Sequence, residues 1–142
     1  MGRKYSVICK NKNCKFHTIL REGPGMIGFA NMMTFRESIL LNECSNPSAA
    51  EKLKNGAKIM TRGIYICLQC KEFKENNTYF FLENFTESPY GTVRYDVTFP
   101  FGDPICDVCN NELIYIKNIL SSKVKCPKCD SELKARKIGY ID

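Results

Sequence analysis

Cys106-Asp107-Val108-Cys109 and Cys126-Pro127-Lys128-Cys129 are two Cys-x2-Cys pairs with 16 residues between them. That separation falls inside the Cys-x2-Cys…Cys-x2-Cys pattern that marks a zinc site. Each pair stands where a β-hairpin would turn, and the runs 112–117 and 131–136 that follow read as strands. Four thiolates at the tips of two facing hairpins make a closed tetrahedral site, the structural kind without an open position for a substrate. The first expectation is therefore a metal site made by Cys106, Cys109, Cys126 and Cys129.

Two further half-sites lie upstream. Cys67-Leu68-Gln69-Cys70 is a third Cys-x2-Cys pair, and Cys9 and Cys14 enclose four residues, within the range for ligand pairs. His17, the only histidine, makes Cys14-x2-His17 an alternative ligand spacing. Four half-sites make two whole sites, so two Zn2+ per chain are expected. Pairing first with second and third with fourth leaves gaps of 52 and 16 residues; the other two choices leave 35 and 111, or 91 and 55. Closure entropy grows only with the logarithm of length and favours the first choice by about 1–2 kcal/mol. The ribbon spacing of the last two pairs decides more, and the first site is then Cys9, Cys14, Cys67 and Cys70. A rubredoxin-like iron site for electron transfer is the alternative use of four thiolates.

The stretch Cys126-Pro127-Lys128-Cys129-Asp130-Ser131-Glu132-Leu133, with Cys106 and Cys109 before it, resembles the zinc-ribbon group with rubredoxin-like knuckles. Ribbons of this kind usually carry Gly after the last Cys. Asp130 stands there instead, and tolerates left-handed backbone better than most residues do. The resemblance implies a small, metal-stapled β-fold. It implies no single function, because zinc ribbons serve many binding modules and a few enzymes.

The chain has 142 residues and nine cysteines. No apolar run approaches the roughly 18 residues that a membrane helix needs. The N-terminus is basic and lacks an apolar secretory core, so a cytoplasmic protein whose cysteines hold metal rather than disulfides is expected. Thiol–disulfide exchange is the competing use of Cys-x2-Cys, but no βαβ pattern surrounds any pair. Cys44 is the odd cysteine and reads as a small buried hydrophobe, with a spare ligand or a reactive thiol as alternatives.

Alternation and turn residues give strands at 4–9, 15–20, 63–67, 78–83 and 93–99. Residues 86–92, with Pro89 and Gly91, read as a loop. Thr34-x2-Glu37 and Ser48-x2-Glu51 have capping-box spacing and predict short helices over about 35–43 and 49–55, with Ile39, Leu40 and Leu53 facing the core. Gly23-x-Gly25-x2-Gly28 matches a dinucleotide fingerprint by letters alone and reads as a turn. The fold class expected is small, metal-bound and mostly β (α+β): antiparallel hairpins carrying two zinc-knuckle sites with a helical insert at about 34–56. Two domains are expected, a zinc-knuckle domain over 1–104 and a zinc ribbon over 105–142.

The formal charge of +6 shrinks to about +2 once eight thiolates bind two Zn2+. Its distribution is more informative. Residues 1–21 carry six Lys/Arg and no acid, residues 117–142 seven against three, and residues 22–116 eight against twelve. Lys10, Lys12, Lys15, Lys123, Lys125, Lys128, Lys134, Arg136 and Lys137 are thus candidate phosphate contacts, beside aromatics Tyr5, Phe16, Tyr115 and Tyr140. The first functional expectation is a non-catalytic zinc-binding module docking on nucleic acid, or on a nucleic-acid-handling complex, through its basic ends. The alternative is a protein–protein adaptor or inhibitor using the central Met/Phe-rich insert (Met26, Met32, Met33, Met60). A single histidine, no Ser-His-acid set and closed cysteine sites argue against an enzyme and against a small-molecule substrate.

Overall fold

The computed structural model describes residues 2–87 and 93–141, without the side chains of 85–87, 93 and 94. Among the described residues, the chain forms three antiparallel three-stranded sheets and two helices. Strands β1 (Gly2–Cys9) and β2 (His17–Glu22) form the first hairpin, and β9 (Leu133–Ile141) joins on the far side of β1. The alternation of β1 decides its orientation: Tyr5, Val7 and Cys9 are buried, while Ser6 and Ile8 face outward. Tyr5 and Val7 pack with Leu20, Ile64, Phe73 and Ile119, the core under this sheet.

The second sheet, β5-β4-β8, contains β4 (Gly63–Cys67), β5 (Glu72–Asn76) and β8 (Ile114–Tyr115). Gly63, Ile64, Tyr65 and Cys67 of β4 are all buried, as a central strand covered on both faces requires. The third sheet is β3-β6-β7, from β3 (Lys58–Met60), β6 (Phe80–Glu87) and β7 (Val93–Thr98). Phe81 on β6 is fully buried under the helices, with Met32, Ile39, Ala49, Ala50, Leu53 and Ile59. Residues 88–92 of the expected 86–92 loop lie outside the described residues, and Thr86 and Glu87 belong to β6.

The helices differ from expectation at their starts. Helix α1 runs Met26–Leu41 rather than from about 35, because no proline interrupts Met26–Met33 and the single Gly28 costs a helix only about 1 kcal/mol. Gly25 precedes it, and Gly23 turns the chain with φ +82°. Thr34 is thus mid-helix, where its Oγ1 donates to Ala30 O at 3.0 Å instead of capping. Helix α2 (Pro47–Lys54) is capped two residues earlier than expected: Asn46 Oδ1 accepts from Ala49 N at 3.1 Å, with Pro47 at the first helical position. Gly56, at φ +96°, stops it. Ile39 and Leu53 are buried and Leu40 packs against them. Cys44 is exposed rather than buried.

Two strand pairings position the cysteines. Pairing of β1 with β9 sets Cys9 opposite Leu133, and pairing of β4 with β8 sets Tyr65 opposite Tyr115. Both cross the boundary expected between 104 and 105. Among the described residues no helix is long and apolar enough to cross a membrane.

Candidate metal centres

Eight cysteines converge in two quartets: Cys9, Cys14, Cys126 and Cys129, and Cys67, Cys70, Cys106 and Cys109. The sulfurs of each quartet lie within 4.8 Å of one another. The eight expected ligands are all present, but the expected pairing is not. The first half-site joins the fourth and the second joins the third, in a nested arrangement. Cys106 and Cys109 therefore do not share a site with Cys126 and Cys129, nor Cys9 and Cys14 with Cys67 and Cys70. The physical reason is strand pairing. Closure entropy separates the choices by only a kcal/mol or two, whereas β1 and β9 pair along their whole length over a buried core.

His17 is not a ligand among the described residues. It opens β2, opposite Ile8 on the outer side, and its Nδ1 lies 3.3 Å from Lys15 O. Cys9 completes the first quartet in its place.

Two of the four knuckles are led by strands. Cys9 ends β1 and Cys67 ends β4, so a strand delivers the first sulfur and the following turn delivers the second. After three of the four second cysteines the chain turns through left-handed backbone: Lys71 (φ +54°), Asn110 (φ +59°) and Asp130 (φ +63°). Asp130 does there what glycine does in ribbons. The last two turns close alike, with Asn110 N donating to Cys106 O at 3.0 Å and Asp130 N to Cys126 O at 2.8 Å. The bridges Ile105–Glu112 and Lys125–Glu132 flank them.

The sulfur separations test the fit to zinc. A Zn–S bond of about 2.3 Å in a tetrahedron puts sulfurs about 3.8 Å apart. In the first quartet Cys9–Cys129 and Cys14–Cys126 are 3.4 and 3.8 Å apart. Cys67–Cys109 and Cys70–Cys106 in the second are 3.4 and 3.9 Å apart. A disulfide would need about 2.05 Å. Each quartet is thus close enough to hold one metal ion, with dimensions consistent with zinc and compatible with zinc-ribbon-like sites.

Hydrogen bonds to the outer sulfurs favour thiolate. The Asn111 backbone N–H and its side-chain amide, 3.3 Å from Cys109 Sγ, lower that thiol to about 6. The Ser131 hydroxyl and backbone N–H lower Cys129 to about 6. Two other members behave oppositely: loss of solvent pushes the Cys9 thiol up to about 12. Neighbouring Cys109 pushes Cys70 up to about 12. A sulfur set held this close needs a cation before all four can ionise. Asn11 Nδ2 donates to Ser131 Oγ at 3.4 Å and lies 4.0 Å from Cys129 Sγ. Asn111 and Ser131 were not singled out in the sequence, although both stand two places after a knuckle's second cysteine.

The candidate phosphate contacts fall into three groups. Lys10, Lys12 and Lys15 surround the first knuckle, and Lys10 pairs with Glu132 at 3.3 Å. Lys123, Lys125 and Lys128 line a cleft between the two centres. Lys134, Arg136 and Lys137 lie along β9, where Lys137 Nζ donates to Tyr140 Oη at 2.7 Å. Of the neighbouring aromatics, Tyr140 is 60% exposed, whereas Tyr5 is buried in the core. The Met set also divides: Met26 is exposed and Met32 is buried. No protein-family model, curated protein or solved structure matches this chain.

Proposed function

We propose that this protein is a non-catalytic zinc-binding module that docks on nucleic acid through its joined basic ends. The observation that carries the reading is the register of the first sheet. Lys4 lies opposite Arg21, Ser6 opposite Arg136, and Ile8 opposite Lys134. Cations from both ends of the chain thereby share one open face. Among the described residues no carboxylate pairs with Lys4, Lys134 or Arg136, while Arg21 meets Glu75 at 3.6 Å. Unpaired cations on a rigid sheet suit phosphate contacts, which displace condensed counterions. All-cysteine ligation supports a structural role for both metals, without an open coordination position. Free thiols throughout fit a reducing compartment such as the cytoplasm.

The test is affinity for random-sequence nucleic acid across a salt series, using protein whose metal content has been measured. Affinity that weakens steeply with salt supports the reading. An absence of binding at low salt would sink it. A red colour would assign the centres to iron instead of zinc.

A protein-binding adaptor is the second reading, favoured by one observation. Met26, Ile27 and Leu41 of α1 are 75%, 79% and 88% exposed. A helix showing that much apolar surface suits a protein partner.

A further inference from the structure

We propose that the cleft between the two cysteine centres holds the backbone of single-stranded nucleic acid. The inference rests on the nucleic-acid reading above and names its ligand and its track. The cleft runs from Cys67 of one quartet to Cys126 and Cys129 of the other, with a volume of about 560 Å³. Its walls carry Lys71, Lys123, Lys125 and Lys128, and its apolar lining includes Ile66 and Leu68. A second hollow of about 400 Å³ continues it, sharing Ile66, Lys123 and Lys125 and adding Tyr115 and Lys117.

Four lysines face one carboxylate there, Asp130. Among the described residues, Lys71, Lys123 and Lys125 have no carboxylate partner, and Lys128 reaches Glu72 only at 3.8 Å. Lys71 is placed by the knuckle itself, since it is the left-handed residue directly after Cys70. The shared core beneath the first two sheets, with Ile64, Phe73, Ile119 and Val124 packed together, is what brings Lys71 to the lysines of the last knuckle, more than 50 residues away.

Size selects the form of the ligand. A cleft of about 560 Å³ is too small to enclose a duplex, whose major groove alone is about 12 Å wide. A lysine-walled groove with an apolar floor tracks a single strand, with phosphates on the lysines and base faces against the floor. Leu68, 65% exposed, is the apolar side chain most available for that contact.

The experiment compares full-length, zinc-loaded wild type with two variants on labelled random-sequence single strands and duplexes. The cleft variant is Lys71→Gln/Lys123→Gln/Lys125→Gln. The sheet variant is Lys134→Gln/Arg136→Gln. Three lost contacts should cut single-strand affinity at least tenfold and reduce the salt slope by about 2. Duplex affinity should change much less, and two zinc ions per chain should remain. Loss confined to the sheet variant would overturn the cleft and leave the nucleic-acid reading standing. No binding by wild type would overturn both. Equal losses on single strand and duplex would overturn the single-strand assignment. Zinc loss from the cleft variant would make the lysines counter-charges of the centres and overturn the proposal as well.

Discussion

Cys9 Sγ lies 3.4 Å from Cys129 Sγ, although 120 positions separate them in the chain. The two ends of the protein are therefore tied at one quartet, and the middle of the chain at the other. Metal at the first would lock β1 to β9, and metal at the second would lock β4 to the knuckle before β8. Structural zinc binding free energy of about 10–16 kcal/mol is large against the stability of a small domain.

Nesting fixes what a ligand substitution should disturb. In Cys126→Ser, zinc content should fall from two to one. Amide-exchange protection should drop in β1, β2 and β9 and survive in β4 and β5. Loss centred instead on 106–115 would contradict the nested pairing.

Asn111 bonds the sulfur of Cys109 through its side chain at 3.3 Å. Hydrogen bonds that orient a metal ligand are worth roughly 10–100-fold in affinity. Asn111→Ala should weaken one of the two zinc sites by about that factor in a chelator competition and leave the other unchanged. Two sites weakened together would show that the centres are coupled.

Phe81 is fully buried between β6 and the helices, away from both quartets. Phe81→Ala should cost about 3–5 kcal/mol of stability, read from the denaturant midpoint. Zinc stoichiometry in the folded variant should stay at two, since no ligand belongs to that core.

Burial pushes the Glu22 carboxyl above its ordinary range, with Arg3 pulling it partly back. A raised carboxyl makes the folded state hold its proton more tightly than the unfolded state does. Its contribution to stability is present below the unfolded value, 4.5, and is lost as pH rises through the raised folded value. Glu22→Gln should therefore gain stability relative to wild type at pH 7, and the gain should vanish at pH 4. Denaturant titrations at the two pH values check this; a constant difference would assign the effect to packing.

The sequence by itself determined the cysteines of the two quartets and the strands that lead into two of the knuckles. Cys-x2-Cys spacing is local, so all eight cysteines of the quartets were legible, as were β1, β4 and the alternation of Tyr5 and Val7. Capping boxes misled at Thr34 and Ser48, where letters alone do not distinguish a helix start from a helix interior. Tertiary structure alone decided which half-sites meet. A knuckle fixes two sulfurs and presents them to any other knuckle, and loop closure separates the choices too weakly to choose. Strand pairing between the chain's two ends, over a core containing Tyr5 and Val7, overrode the shortest connection. The same pairing set Ser6 beside Arg136 and Ile8 beside Lys134. No local pattern carries that information, because those neighbours exist only once both ends of the chain have met.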